Sequence, residues 1–168
     1  MEALCQLSYS PSVDQQRYRS EIDATPSTYV RSMDGTATPN ARGARTEAAV
    51  ASALVRVGAE VYLPAFGSYG RVDLVYELDG RLVRVQCKTA CRIGETLRFW
   101  TCSNTGNTPI SYSGQVDEFG VYSPDTEMVY LVPAVDLPTR ACSLRLAPTR
   151  NGQQSGVRWA KDFELGPP

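Results

Sequence analysis

Residues 71–88 read RVDLVYELDGRLVRVQCK and are the most informative segment of the chain. Two runs of alternating apolar and polar residues, Val72–Leu78 and Leu82–Lys88, flank the dipeptide Asp79-Gly80. Asp-Gly between such runs favours a type I′ turn, because that turn needs a positive φ at both central positions. The stretch therefore predicts a β-hairpin with a two-residue loop.

A two-residue loop fixes which residues of the two strands face each other. The predicted facing pairs are Leu78 with Arg81, Asp73 with Gln86, and Arg71 with Lys88. Because side chains alternate along a strand, one face of the hairpin is predicted to be polar and the other apolar. The polar face consists of Arg71, Asp73, Glu77, Arg84, Gln86 and Lys88, in which Arg84 is expected to pair diagonally with Glu77. The apolar face consists of Val72, Leu74, Tyr76, Leu78, Val83, Val85 and Cys87, and we expect it to pack on the core.

An amphipathic helix is predicted before the hairpin. From Ala44 onward, side chains recur at helical spacing and Gly58 follows where a C-terminal cap is expected. The predicted buried stripe consists of Glu47, Val50, Ala51, Leu54 and Val57. Glu47 would then lie on the buried side, one turn from the helix start.

Further short strands are predicted on both sides of the hairpin, at residues 60–63, 97–101, 119–122 and 128–132. Residues 102–115 form a long uncharged segment, read as a loop, and a short helix is expected before Phe119. The order predicts an α/β fold in which an early helix covers a mixed sheet. Residues 1–42, rich in Ser, Thr, Pro, Asp and Gln, are expected to be a flexible extension, with the folded domain at 43–168.

Composition excludes several classes of function. The chain has 168 residues, 17 basic and 18 acidic side chains and no histidine, so every histidine-dependent nuclease or hydrolase chemistry is excluded. Its near-zero net charge is unlike that of a general nucleic-acid binder, although residues 41–100 carry nine basic and six acidic side chains. The five cysteines lack a C-x-x-C pair and are interpreted as thiols. Without a membrane span or a secretion signal, a cytoplasmic location is expected.

The polar face of the hairpin has the composition of a phosphate-handling site. Asp73 and Gln86 each offer an oxygen of the kind that Mg²⁺ prefers, and Lys88 would stand beside the same point. Each residue also has a purely structural interpretation. The Asp73–Gln86 pair could only stabilise the sheet, Lys88 could be a surface lysine, and Glu47 could only complement the helix dipole.

The order of a helix with Glu47, a strand with Asp73 and the triplet Gln86-Cys87-Lys88 resembles the PD-(D/E)XK nuclease superfamily, in its Gln-x-Lys variant. The amino-acid sequence also resembles that of the bacterial branch related to group I intron homing endonucleases. This similarity lies in residues 71–89, 97–103, 116–124, 130–133 and 151–159. The resemblance covers about Ala44 to Leu165. Val72 stands where the motif has proline, and Gln86 stands where most members have an acid.

This resemblance implies a restriction-endonuclease-like αβββαβ core with a mixed central sheet. It implies that Asp73 and Gln86 bind the metal, that Lys88 is the catalytic lysine and that Glu47 supplies the helix carboxylate to the same metal site.

The implied activity is that of a Mg²⁺-dependent DNA endonuclease, with Mn²⁺ as a substitute, which cuts double-stranded DNA as a homodimer or homotetramer. Arg71, Arg84, Arg150 and Arg158 are the candidate DNA contacts. Two alternatives stay open. One is a structure-selective junction or repair nuclease, and the other is a catalytically inactive DNA-binding or interaction module.

Overall fold

The computed structural model describes residues 38–66, 70–105, 108–149 and 152–168. These residues form one α-helix, α1 (Pro39–Arg56), a short 3-10 helix (Ala160–Asp162) and eleven strands. The strands are β1 (Glu60–Tyr62), β2 (Leu74–Leu78), β3 (Arg81–Thr89), β4 (Cys91–Ile93), β5 (Thr96–Trp100), β6 (Cys102–Thr105), β7 (Thr108–Ser111), β8 (Glu118–Ser123), β9 (Met128–Pro133), β10 (Ala141–Arg145) and β11 (Glu164–Gly166).

The β2–β3 hairpin has the predicted register and turn. Leu78 pairs with Arg81 across the loop, and the ladder continues to Leu74 opposite Val85. Asp79 and Gly80 have φ angles of 52° and 74°, as a type I′ turn requires. The predicted register and turn are confirmed. The apolar face is predicted only in part, because Leu78 is 39% exposed and Val72 packs against a different hydrophobic cluster from Leu74.

The hairpin lies within a six-stranded sheet of order β1-β2-β3-β8-β9-β11. β3 and β8 are parallel, whereas the other neighbouring strands are antiparallel, so the sheet is mixed, as predicted. A three-stranded sheet of order β10-β5-β4 and the two-stranded hairpin β6–β7 complete the described fold.

The six-stranded sheet is buried on both faces. One hydrophobic cluster joins α1 to β2 and β3 and includes Val50, Leu54, Leu74 and Val85. The other joins the opposite face of the sheet to the three-stranded sheet and includes Phe99, Phe119, Val121 and Leu144. We call these the helix-side cluster and the sheet-side cluster.

The polar face of the hairpin is more buried than its sequence pattern indicates. Gln86 pairs with Phe119 and Lys88 with Val121 in the parallel β3–β8 ladder, and both partners belong to the sheet-side cluster. Since paired residues point to the same side of a sheet, Gln86 and Lys88 share a face with that core. Gln86 is only 6% exposed.

The helix departs from its predicted bounds and stripe. It begins at Pro39 rather than Ala44, because proline suits the first helical position, where its missing N–H is not needed. The buried residues are Thr46, Ala49, Val50, Ala53 and Leu54, while Glu47 is exposed and lies in the third turn. The predicted burial of Glu47 is therefore wrong. Residues 1–37 lie outside the described ranges, so the flexible extension stays a prediction.

The second helix of the predicted αβββαβ order does not occur between β7 and β8. There the chain makes a turn in which the N–H of Gln115 donates to the carbonyl of Tyr112 at 2.9 Å. Gly114 has a φ of 71°, a left-handed conformation that interrupts a helix. The preceding segment, predicted as a loop, forms β6 and β7 around residues 106 and 107, which are not described.

Four of the cysteines are described, and all four are free thiols, as predicted. Within the described ranges, the structure has no helix with the length and apolar composition needed to cross a bilayer.

Close packing of α1 on β8 depends on Gly120. A Cβ atom at this position would lie 2.6 Å from Cγ1 of Val50 and 3.1 Å from Cγ1 of Val85. We expect Gly120→Ala to lower the free energy of unfolding by about 1–3 kcal/mol, because the helix must move away from the sheet. Urea denaturation measures the change.

Gly43→Ala is the matched control, since a Cβ at this helical position meets no described heavy atom within 4 Å. Alanine is the better helix former, so this variant should gain up to about 1 kcal/mol. Equal stability of the Gly120→Ala variant and the wild type would contradict the close packing of α1 on β8.

Candidate active site

A surface depression of about 310 Å³ lies where the N-terminal half of α1 meets the ends of β2 and β3. It is lined by the four residues predicted to carry the chemistry, Glu47, Asp73, Gln86 and Lys88. These four residues therefore border one depression, and the charges of Glu47 and Lys88 both act on the carboxyl group of Asp73. Thr46 and Thr89 line the same depression, and their hydroxyl groups are 2.6 Å apart.

Asp73 immediately precedes β2 and is held by main-chain contacts to β3. Its N–H donates to the carbonyl of Val85 at 2.9 Å, and its Oδ2 accepts the N–H of Cys87 at 2.7 Å. Oδ2 also accepts a hydrogen bond from Nε2 of Gln86, its predicted cross-strand partner. Among the described residues, these side-chain bonds all end on Oδ2, which leaves Oδ1 for a further ligand.

Gln86 has a buried oxygen without a partner. Its Nε2 donates to Asp73 and, at 3.4 Å, to the carbonyl of Cys87, while Oε1 has no hydrogen-bond partner among the described residues. A buried polar atom without a partner costs about 1–3 kcal/mol, so its persistence calls for a cation, a water or a functional reason. This feature goes beyond a sheet-stabilising pair, in which both ends of the amide would be satisfied.

The surroundings of Asp73 disfavour its ionised form. Burial raises the pKa of Asp73 from 3.8 to about 6, and the nearby charge of Glu47 adds to the rise. The Cys87 amide and the Lys88 ammonium act in the opposite direction and are too weak to cancel it. A divalent cation would favour the ionised carboxylate.

Cys87 stands between Gln86 and Lys88 in sequence, but its side chain points to the helix-side cluster. Burial raises the pKa of its thiol far above the ordinary value, and the charge of Asp73 adds to this effect. The thiol therefore stays protonated and is not a nucleophile.

Lys88 is half-buried and is held by an aromatic residue. Its Nζ donates to the hydroxyl of Tyr112 at 3.1 Å and lies 4.7 Å from the centre of the Tyr112 ring. Arg71 contacts the same ring, with Cζ at 4.8 Å from the centre, and its Nη1 donates to Oγ of Ser103 at 2.8 Å. Arg71 and Lys88 thus both contact the ring of Tyr112.

The other candidate DNA contacts make bonds within the fold or are not described. Arg84 forms a bidentate ion pair with Asp117, in place of the expected Glu77 contact. Arg158 donates to the carbonyl of Asp136 at 2.7 Å. Arg150 lies outside the described residues. A role of these three arginines in DNA binding stays a prediction.

The donor set fits a hard divalent cation. Asp73, Gln86 and Glu47, which offer two carboxylates and an amide, line one depression, and Mg²⁺ takes oxygen ligands of this kind together with waters and phosphate. In the described part of the chain, no three His, Cys, Asp or Glu side chains group together as a metal site. This agrees with a set in which one of the three ligands is an amide.

Sequence reasoning missed Tyr112, Ser103 and the Thr46–Thr89 pair. Tyr112 and Ser103 belong to the segment that was interpreted as a loop, and Thr46 was placed outside the buried stripe. Tyr112 is the one aromatic residue in the uncharged segment 102–115, and this isolated position could have indicated a specific role. Nothing in the local pattern indicated that Thr46 faces Thr89.

Comparison with known proteins gives a family and a fold. The family model of the PD-(D/E)XK endonuclease matches residues 37–166. The solved structure of the bacterial homing endonuclease I-Ssp6803I is similar, with a TM-score of 0.58 and 18% identity over 77% of this chain and 88% of that chain. This similarity confirms the restriction-endonuclease-like fold. No curated protein matches the chain.

The family match covers the helix, the hairpin and every described strand, and it includes the acid, amide and lysine that line the depression. The chain therefore belongs to the PD-(D/E)XK endonuclease family.

Proposed function

We propose that this protein is a metal-dependent DNA endonuclease that hydrolyses phosphodiester bonds at the depression between α1 and the β2–β3 hairpin. The observation that carries the proposal is the buried, unpartnered Oε1 of Gln86 beside a carboxylate whose pKa is raised to about 6. Both features are unfavourable in a purely structural sheet, and both are relieved by a cation. The family and the fold support the same function.

Mg²⁺, with Mn²⁺ as its substitute, is the cation that this donor set suits best. Asp73 and Gln86 would hold it from the hairpin and Glu47 from the helix. When bound, such an ion lowers the pKa of a bound water and offsets negative charge on a phosphate.

The chain's own cations supply the remaining electrostatics. The Lys88 ammonium, held at the edge of the depression by Tyr112, would stabilise the charge that builds up on the phosphate during attack by water and help to orient that water. The Arg71 guanidinium, next to Lys88 on the same ring, would bind a DNA phosphate. Arg71 is thus the predicted DNA contact that the site supports best.

We infer that double-stranded DNA is the substrate and that two copies of the chain act together. One chain offers one such depression among its described residues, whereas cutting both strands of a duplex requires two active sites. Self-association into a homodimer or homotetramer supplies them. Homing of a mobile element is the biological role that the likeness to a homing endonuclease favours.

Plasmid nicking tests the proposal. Supercoiled plasmid incubated with the protein and Mg²⁺ or Mn²⁺ should be converted to nicked and linear forms, and EDTA should stop the conversion. Absence of nicking with both metals would overturn the endonuclease proposal and favour the inactive DNA-binding module. Faster cutting of branched than of linear duplexes at the same salt concentration would favour the junction nuclease.

Gln86→Glu tests the metal-binding role of the amide. A second carboxylate should lower the Mg²⁺ concentration for half-maximal nicking roughly tenfold, because charge count is a main determinant of cation affinity. Without metal, the variant should be less stable than the wild type at pH 7, since a repulsive pair replaces the Gln86–Asp73 hydrogen bond. Mg²⁺ titrations of nicking and of melting temperature measure both effects.

Gln154→Glu, the same chemical change at an exposed position, is the control and should change neither quantity. An unchanged Mg²⁺ requirement in Gln86→Glu would remove Gln86 from the proposed ligand set.

A further inference from the structure

Two cationic side chains of the site meet on one buried aromatic residue, Tyr112. We propose that Tyr112 is a positioning residue of the nuclease centre, which holds the Lys88 ammonium in place through its hydroxyl group and its ring. This inference rests on the proposed function for its effect on cleavage, and it adds a residue from outside the helix and hairpin that carry the family motif.

Tyr112 is itself fixed by the core. It is 5% exposed, belongs to the sheet-side cluster and packs edge-on against Phe119 with 5.7 Å between ring centres. Phe119 pairs with Gln86 in the β3–β8 ladder. The Tyr112 ring thus packs on the strand pair that carries Gln86, the proposed metal ligand. A Lys88 side chain bound to this ring is therefore held at a fixed position relative to Gln86.

Among the described residues, Tyr112 makes both the hydrogen bond and the ring contact given for the Lys88 ammonium. A lysine side chain has four rotatable bonds and loses considerable rotamer freedom when it is held in one position. Its Nζ donates to the Tyr112 hydroxyl at 3.1 Å and lies 4.7 Å from the ring centre, so one residue supplies two attractive contacts. Without Tyr112 the ammonium would sample several positions around the depression.

The chemical nature of the partner matters as well. Arg84 shows the alternative, because its guanidinium pairs directly with the Asp117 carboxylate and its charge is largely compensated. Tyr112 is a neutral acceptor, so it orders Lys88 without cancelling its positive charge. A lysine that must stabilise a developing phosphate charge benefits from such a partner.

Arg71 makes a second cation–π contact with the same ring. Its Cζ lies 4.8 Å from the ring centre, while Ser103 accepts a hydrogen bond from Nη1. The negative face of an aromatic ring attracts cations and partly offsets their mutual repulsion. Tyr112 thereby contacts both cationic side chains.

The first test separates the hydroxyl from the ring by kinetics. Tyr112→Phe should lower kcat for nicking about tenfold with KM unchanged, because a hydrogen bond to a charged group is lost. Tyr112→Leu should lower kcat further and also raise KM, because Arg71 loses its ring contact. Both variants should need the same Mg²⁺ concentration for half-maximal nicking as the wild type.

Tyr130→Phe is the matched control. Tyr130 lies in the same sheet-side cluster, is 2% exposed and places its hydroxyl 3.3 Å from that of Thr126, away from Lys88. It should keep the wild-type kcat. Wild-type kcat and KM in Tyr112→Phe, or an equal loss in Tyr130→Phe, would overturn the inference.

The second test does not depend on cleavage. The chain has only two lysines, Lys88 and Lys161, so protein labelled with ¹³C-lysine gives two sets of side-chain signals, which Lys161→Arg assigns. The Lys88 signals should be displaced by the ring current of Tyr112 in the wild type and return toward free lysine in Tyr112→Leu. Undisplaced wild-type signals overturn the inference, whereas displaced signals in a protein that fails to nick DNA would reject only the proposed function.

Discussion

Lys88→Ala is expected to reduce plasmid nicking by about 100- to 1,000-fold, the usual cost of removing one group that stabilises charge in a transition state. Lys88 lines the depression with Asp73 and Gln86, and its ammonium has a neutral hydrogen-bond partner in Tyr112, so its charge is available to the substrate. Nicking rates at saturating Mg²⁺ measure the loss. Binding of uncut DNA in the presence of Ca²⁺ should fall much less.

Lys161→Ala is the matched control for this prediction, because Lys161 is the other lysine of the chain and is exposed on the short 3-10 helix. It should cut at the wild-type rate. Equal nicking by Lys88→Ala and the wild type would remove Lys88 from the mechanism, even if the protein is a nuclease.

Asp73→Asn is expected to have two opposite effects. Nicking should fall at least 100-fold, because the charged ligand of the cation is lost. The metal-free protein should become more stable at pH 7 by about 1–2 kcal/mol, since a pKa raised by burial means that ionised Asp73 destabilises the fold. The carboxyl group is partly exposed, so solvent screens part of this effect.

The gain in stability of metal-free Asp73→Asn should depend on pH. The pKa of Asp73 is about 6 in the folded protein and 3.8 in the unfolded reference, so the folded state binds the proton more tightly. The stability that comes from protonated Asp73 is present below pH 3.8 and is lost as the pH rises through about 6. The advantage of Asp73→Asn should therefore grow between these values and then level off. Urea denaturation of metal-free protein from pH 4 to pH 8 measures it.

Asp79→Asn in the hairpin loop is the control, because Asp79 is exposed and its φ of 52° suits asparagine. This variant should keep both activity and the pH profile of the wild type. Mg²⁺ should raise the melting temperature of the wild type and of Asp79→Asn, and not that of Asp73→Asn. An equal Mg²⁺ effect on all three proteins would contradict the proposed site.

The hairpin and its acid–amide pair could be predicted because they depend on local rules. A two-residue Asp-Gly loop and strict alternation fix the register, and the register alone brings Asp73 to Gln86. Helical spacing predicts Glu47 on the buried side of α1, whereas the family resemblance implies its place at the metal site, and Glu47 is exposed and lines the depression. The start of the helix at Pro39 is also readable from the sequence, since proline at the first helical position is a start signal.

What the sequence did not predict depends on contacts between distant segments. The burial of Gln86 and the pairing of Arg84 with Asp117 both follow from the parallel ladder between β3 and β8, which no local pattern encodes. Tyr112 reaches Lys88 across 24 residues of chain. The absent second helix follows from a polar segment that instead forms a hairpin and a glycine turn.

The hydrogen bond from the Cys87 amide to Asp73 gives the proposed metal ligand a structural role as well. The β2–β3 ladder ends at Leu74 opposite Val85, and beyond it the Asp73 carboxylate, in place of a main-chain carbonyl, accepts the hydrogen bond of the Cys87 N–H. A buried amide without an acceptor is costly, so alanine at position 73 would damage the backbone as well as the chemistry. Selection for folding alone would therefore keep aspartate or asparagine at position 73, even in a protein of this fold without nuclease activity.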